Sequence, residues 1–394
     1  KKNAAIADDD ITVKEYEADL STNLEGLADR LKRKKYRAKL IKRKYIPKDN
    51  GKKRPLGIPA LEDKIVQKAA AKILESIYEP EFLDCSYGYR PGRGAKDAVS
   101  DLTFQLQFGV FGYIVEADIK GYFDNIDHDK LLEMMAERID DRAFLGLIRK
   151  WLKAGILEPE GYVKHPVTGT PQGGLVSPIL SNIYLHKVLD EWFETEVKSR
   201  LKGRAILCRY ADDWVCAFQY RDDARRFFKV LPKRLTRFGL EIAPDKTKIL
   251  RFSRFHPSRK RGRTFEFLGF EFYWNKDRSG TPRVMRRTAP KKQQGALRRM
   301  RAWIKAARHL PKKKFFDLLK RKLRGHYNYY YMRGNSRSVW IFYKEVLKTV
   351  QKWLNRRSQR KSCNWEKFKR MLEYFGVPKP KVTEKKRLHK VALR

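Results

Sequence analysis

Cysteine is scarce in this 394-residue chain: Cys85, Cys208, Cys216 and Cys363 lie apart, with no C-x-x-C pair. That spacing gives neither a disulfide framework nor a zinc site, and it suits a reducing cytoplasm. His309, His326 and His389 also lack metal-ligand spacing, so no metal site is read from them. No apolar run approaches the length of a membrane span, and the opening residues do not resemble a signal peptide. A membrane is therefore not an expected partner. No internal repeat or low-complexity tract is visible. Acids are the other shortage, with 46 Asp and Glu against 90 Lys and Arg, a formal net charge of +44. Such a field makes a polyanion the expected partner, nucleic acid before membrane. The apolar fraction of 42%, with eight tryptophans, argues against disorder.

The charge is uneven. From Thr281 onward 36 Lys and Arg face 5 Asp and Glu, which leaves only +13 for everything before it. A near-ordinary globular body thus precedes a strongly basic C-terminal module. Residues 15–44 read as one helix ending in a basic run that enters a strand. Asn50-Gly51 between extended segments signals a hairpin, because both residues tolerate positive φ. Helical spacing follows from Leu61 and stops near Pro80, then comes a Gly/Pro loop, and a buried strand ends at Asp118. Further helices break near Asp140-Asp141, and a Gly-rich turn at 168–174 feeds a long amphipathic helix. Two apolar runs flank Asp212-Asp213, and "FEFLGFEFYW" reads as a strand pair turning at Gly269. Beyond Pro290 the pattern is helical over 291–309, 313–331 and 338–357. Strands and helices mix without a regular βαβ repeat, which indicates α+β.

The chemistry concentrates in carboxylates. Asp118 ends one strand and Asp212 and Asp213 occupy a hairpin turn, so neighbouring strands would bring all three acids to one edge. Carboxylates so placed can hold two divalent ions that activate a hydroxyl and stabilise departing pyrophosphate. Mg2+ suits an oxygen-only site that keeps positions open for phosphates. Alone, Asp-Asp reads better as a solvated hairpin tip. Phe123 is bulky enough to lie beside a sugar and exclude a 2′-hydroxyl. Gly173 lets backbone approach a base pair, with Gln172 as a polar reader. Lys48 and Arg54 flank the hairpin and could clamp a triphosphate. Lys246 could protonate a leaving pyrophosphate. Each of these has a bland alternative as a core Phe, a helix-entry Gly or a solvated Lys. Their order along one chain is the informative part.

That order resembles a known family. "IPKDNGKKRPLGIPALEDKIVQKA", "SYGYRPGRGAKDAV", "ADIKGYFDNIDHDKL", "GTPQGGLVSPILSNIYL", "RYADD", "APDKTKI" and "FEFLGF" are similar to successive blocks of group II intron-encoded reverse transcriptases. The resemblance runs over roughly 15–375. It implies a right-hand polymerase: fingers and palm around an antiparallel sheet, then an all-helical thumb. The implied divisions are 1–44 as a helical extension of the fingers with an incomplete start, 45–285 as fingers and palm, 286–375 as thumb or maturase domain, and 376–394 as a basic tail. Asp118, Asp212 and Asp213 match the catalytic acids, and Asp118, Ile119, Asp212 and Asp213 the seat of two Mg2+ ions, with Mn2+ as a substitute. Phe123 matches the sugar gate, and Gln172 and Gly173 the nucleotide contact. Lys48, Arg54 and Lys246 join them around the dNTP, and Leu268 and Gly269 match the primer grip.

The segment "LRGHYNYYYMRGNSRSVWIFYKEVLKTVQKWLNRRSQR" resembles a maturase domain that binds intron RNA. Basic side chains neutralise phosphates, and Arg298, Arg299, Arg324, Arg356, Arg357 and Arg360 are the RNA-binding candidates. Tyr327, Tyr329, Tyr330 and Tyr331 read as helix packing before base stacking. With few residues after 380 and no H-N-H-type endonuclease segment visible, the expectation is a family form lacking the DNA-binding and endonuclease domains. The expected activity is RNA-directed DNA synthesis from dNTPs on an RNA template with a DNA or RNA primer, with assistance to intron splicing. A splicing factor that no longer polymerises is one alternative. A reverse transcriptase serving phage defence or CRISPR spacer acquisition is another.

Overall fold

The computed structural model describes residues 11–47, 51, 53–170, 173–255, 263–356 and 363–381. Lys48, Gln172, Arg357 and Arg360 lie outside the described residues, as do Asn50 and His389. The chain forms two compact units, 1–98 with 110–249 and 99–109 with 250–394.

The first unit opens with α1 (Val13–Ala18), capped reciprocally by Thr12 and Glu15, and α2 (Leu20–Lys32). The helix expected through residue 44 ends at this point. Lys34 takes φ +59°, and the Lys35 and Tyr36 N–H groups both return to the Arg30 carbonyl. Tyr36 then turns inward, its hydroxyl bonded to Asp63 and accepting from Trp151 Nε1 at 3.0 Å. β1 (Ile41–Pro47) and β2 (Lys53–Ile58) pair antiparallel up to Pro47–Lys53, as the Asn-Gly signal predicts. α3 (Leu61–Tyr78) and β3 (Tyr113–Asp118) follow, and α4 (Ala95–Phe108) starts in this unit and belongs to the second from residue 99. α5 (His128–Ala136) and α6 (Arg142–Leu152) are separate because Asp127 and Asp141 each cap a new start.

The short strands β4 (Ile156–Leu157) and β5 (Val163–Lys164) complete a sheet of order β2-β1-β4-β5. α7 (Ser177–Leu185) continues through Val197 in wider turns. Then come β6 (Ala205–Tyr210), β7 (Asp213–Phe218), α8 (Arg221–Thr236) and β8 (Lys248–Arg251). The second sheet runs β6-β7-β3-β8. One apolar cluster, including Leu74, Val115, Met135, Leu180, Leu189, Phe218 and Leu231, joins this sheet to α3, α5, α7 and α8. Burial of that apolar surface is the main force holding the sheet rigid.

In the second unit β9 (Phe265–Phe267), β10 (Phe270–Lys276) and β11 (Pro282–Thr288) form an antiparallel sheet. Helices α9 (Pro290–Ala307), α10 (Lys312–Tyr330), α11 (Ser336–Asn355) and α12 (Trp365–Tyr374) complete it. Phe315, Leu319 and Leu323 on α10 and Val339, Phe342, Val346 and Val350 on α11 recur at helical spacing and share one core. Tyr327 and Tyr331 are buried in that core, as the packing reading expects. β11 and α12 were not anticipated. The architecture is mixed α+β with antiparallel sheets and a helical C-terminal region. Among the described residues no helix is long and apolar enough to cross a membrane.

His326 on α10 supplies a pH test of this core. Its ring stacks on Phe342 at 3.6 Å, and Nε2 finds no hydrogen-bonding partner among the described residues. Burial, aided by the Arg299 charge, lowers its pKa to about 4. The unfolded chain therefore binds the extra proton first as pH falls. Stability is intact above about pH 6.5 and declines towards pH 4, by about 3 kcal/mol. Urea unfolding at pH 7 and pH 4 should show this loss in the native chain and a clearly smaller one in His326→Phe. Equal losses would show that His326 does not titrate in that window.

Candidate active site

The acids sit where two strand ends meet. β3 and β7 pair antiparallel with Asp118 opposite Asp213, and β6 and β7 close their hairpin at Tyr210–Asp213. The turn therefore contains only Ala211 and Asp212. Ala211 takes φ +56°, a conformation that disfavours any residue bearing a Cβ. Its compactness brings Asp118, Asp212 and Asp213 to one end of the sheet. Asp212 is mostly withdrawn from solvent. Burial first, and the Asp118 charge second among the raising influences, push its carboxyl above the usual range, while Arg54 and Lys246 pull it down.

The Lys246 ammonium is paired with Asp118, whose side chain is 32% exposed. Next to it, Lys248 bonds Glu116 at 2.7 Å. As they stand, no three His, Cys, Asp or Glu side chains among the described residues form a compact metal-ligand set. Ile119, the remaining metal-binding expectation, is buried and bridges Ile242.

The strained turn is held from behind by a buried charge. Arg209, with no exposed surface, bonds Asp190 through Nε at 2.7 Å and through Nη2. Its Nη1 donates to the Ala211 carbonyl at 3.1 Å and to Asn182 Oδ1 at 3.0 Å, and its Nη2 to the Ser86 hydroxyl at 2.8 Å. Asn182 in turn donates to the Gly88 carbonyl at 2.6 Å. Gly88 presses on the turn so closely that a Cβ there would fall 2.3 Å from the Ala211 nitrogen. These supports escape a motif-based reading. One signal was available: an arginine inside a six-residue apolar strand must find buried partners.

Phe123 lies in the turn Tyr122–Asp124 just past β3, largely buried against Tyr122 at 5.3 Å. The glycine-rich loop docks on the same turn. Thr170 N–H donates to the Phe123 carbonyl at 2.7 Å, and His128 Nε2 meets the Gly169 carbonyl at 2.6 Å. Gly173 takes φ +128° and packs on β2, where a Cβ would lie 2.2 Å from the Gly57 carbonyl oxygen. Arg54 projects from β2 with its side chain exposed, near enough to Asp212 to lower that group's pKa. The structure thus assembles Asp118, Asp212, Asp213, Lys246, Phe123, Gly173 and Arg54 within one unit.

Residues 46–272 match the family described as reverse transcriptase (RNA-dependent DNA polymerase). The chain belongs to that family. It is 34% identical to Protein YkfC of Escherichia coli, covering 68% of this chain and 76% of that protein. It is also 48% identical over 166 residues to the group II intron-encoded protein LtrA of Lactococcus lactis subsp. cremoris. That stretch covers 42% of this chain and spans only 27% of the relative's length. A solved telomerase from Candida albicans, in complex with a telomeric RNA fragment, is 12% identical with a TM-score of 0.49. It covers 93% of this chain and 68% of its own. The fold class is that of its family, the right-hand polymerases, and among the relatives are a group II intron-encoded protein, a protein of the cob intron and a nuclear intron maturase.

In the second unit, Leu268 and Gly269 form the β9–β10 turn with φ +49° and +78°. Tyr329 donates to the Leu268 carbonyl at 3.0 Å, and a Cβ on Gly269 would stand 3.1 Å from the Tyr330 hydroxyl. Two of the four tyrosines therefore clamp the expected primer-grip turn, a link absent from the sequence reading. Arg298, Arg299 and Arg324 are exposed on the helices, and Arg356 is exposed just past the end of α11. Arg356, Arg308 and Lys305 lie over the Trp353 ring at 5.1, 5.0 and 6.0 Å, which concentrates positive charge there.

Proposed function

We propose that this chain is an RNA-directed DNA polymerase of the group II intron type, which also binds intron RNA and assists its splicing. The observation that carries the reading is the meeting of Asp118, Asp212 and Asp213 at one sheet end, with Lys246 and Arg54 electrostatically coupled to Asp212. An all-oxygen donor set suits a hard divalent cation, and the Lys246–Asp118 pair indicates that positive charge is accommodated at that carboxylate. Bound Mg2+ would supply the charge that activates a primer 3′-hydroxyl and steadies departing pyrophosphate. Asp118, Asp212 and Asp213 would hold it. Arg54 meets the triphosphate with its guanidinium fork, and Lys246 carries a proton at Nζ for the leaving group. Most of the acceleration then comes from positioning and charge. The exposed arginines of α9, α10 and α11 supply phosphate contacts to RNA.

Extension of a primer on an RNA template, compared between the native chain and Asp212→Asn, tests the reading directly. Selectivity tests the gate. In Phe123→Val, which replaces the ring by a shorter branched side chain, preference for dNTP over rNTP should fall about tenfold or more. Unchanged selectivity would remove Phe123 from that role.

A further inference from the structure

In the segment Ser86–Arg90 every residue but one is tied down. Ser86 and Gly88 are held by the Arg209 and Asn182 bonds described above, and Tyr87 N–H donates to the Arg209 carbonyl at 2.9 Å. Arg90 is buried, bonded to the Glu79 carboxylate at 2.9 Å and to the Leu83 and Ser86 carbonyls at 2.7 and 2.9 Å. Tyr89 alone is 47% exposed, and its φ is +59°. An aromatic residue is thus held in a left-handed conformation immediately beside the glycine that touches the Asp212 turn. A solvated surface tyrosine needs no such backbone, and strain of this kind concentrates at ligand sites. Its surroundings point the same way. After burial, the Asp212 charge is the next influence raising the Tyr89 phenol, and Arg54 opposes it, so the side chain lies near both groups.

We propose that the Tyr89 ring is a wall of the nucleotide pocket on which the base of the incoming deoxynucleoside triphosphate packs. The proposal rests on the polymerase reading, in which Asp212 and Arg54 face the reacting and terminal phosphates of that nucleotide. An aromatic close to both meets the remainder of the same molecule. A ring face accepts all four bases, which template-directed synthesis requires.

The test separates nucleotide capture from turnover. A dideoxy-terminated primer on an RNA template, with Mg2+ and the complementary dNTP, traps a nucleotide-dependent complex that a gel shift reads. Tyr89→Gly, which frees the left-handed φ and removes the ring, should need about tenfold more dNTP to form it. Its melting temperature should be equal to or above that of the native chain, since glycine adopts this φ freely. Tyr89→Phe, which keeps the ring, should restore most of the affinity. Native-like trapping by Tyr89→Gly overturns the proposal, as does a Tyr89→Phe variant as impaired as the glycine one. If the native chain traps dNTP but never extends an open primer, the polymerase reading fails and the Tyr89 assignment stands. Absence of any dNTP-dependent complex with the native chain overturns both.

Discussion

Primer extension by Asp212→Asn is expected to fall by about a hundred- to a thousandfold, while the chain remains folded. Asparagine keeps the shape of the side chain and removes one formal charge. In the folded chain that charge is held at a cost, because burial and the nearby Asp118 both disfavour ionised Asp212. Neutralising it relieves the repulsion, so unfolding should occur at the same temperature or slightly higher. A bound divalent ion relieves the same repulsion by another route. Mg2+ should therefore raise the melting temperature of the native chain through binding linkage, and raise that of Asp212→Asn much less. This thermal readout is independent of turnover. Full extension by the variant, or an equal Mg2+ response in both proteins, would show that the metal seat lies elsewhere.

What could be read from the chain before its structure was whatever short-range chemistry dictates. Asn50-Gly51 announces a hairpin, and strand–Asp-Asp–strand announces a tight turn, because each signal is complete within a few residues. Pairing Asp118 with that turn follows once β3 and β7 are known to be neighbours. Arg209 in an apolar strand signals a buried partner, but which groups support the turn was illegible for the opposite reason. Ser86 and Arg209 are 123 residues apart, and nothing local to "SYGYRPGRG" says that Gly88 will press on Ala211. Likewise Tyr329 reaches the Leu268 carbonyl across 61 residues. The helix expected through residue 44 failed because its basic periodicity continues past Lys34, whereas Tyr36 is drawn inward by Asp63 and Trp151. Tertiary burial overrode local propensity there.

Arg209→Met should lower the unfolding free energy by about 3–5 kcal/mol, the usual penalty for leaving one partner of a buried ion pair uncompensated. Asp190 would be stranded with no exposed surface, and Asn182, Ser86 and the Ala211 carbonyl would each lose a donor. Stability and positioning can then be separated. Replacing the pair together, as Arg209→Met with Asp190→Leu, removes the stranded charge and should recover most of the stability seen in urea unfolding. Activity should not return with it. Ala211 still needs a left-handed φ, and its carbonyl no longer has the guanidinium that steadies it. Asp212 would then sample positions away from Asp118, and displacements of about 1 Å can cost roughly a hundredfold in rate. A double variant that is both stable and fully active would reduce the Arg209–Asp190 pair to a core-filling element. A stable and slow one identifies it as the part that holds the acid turn in register.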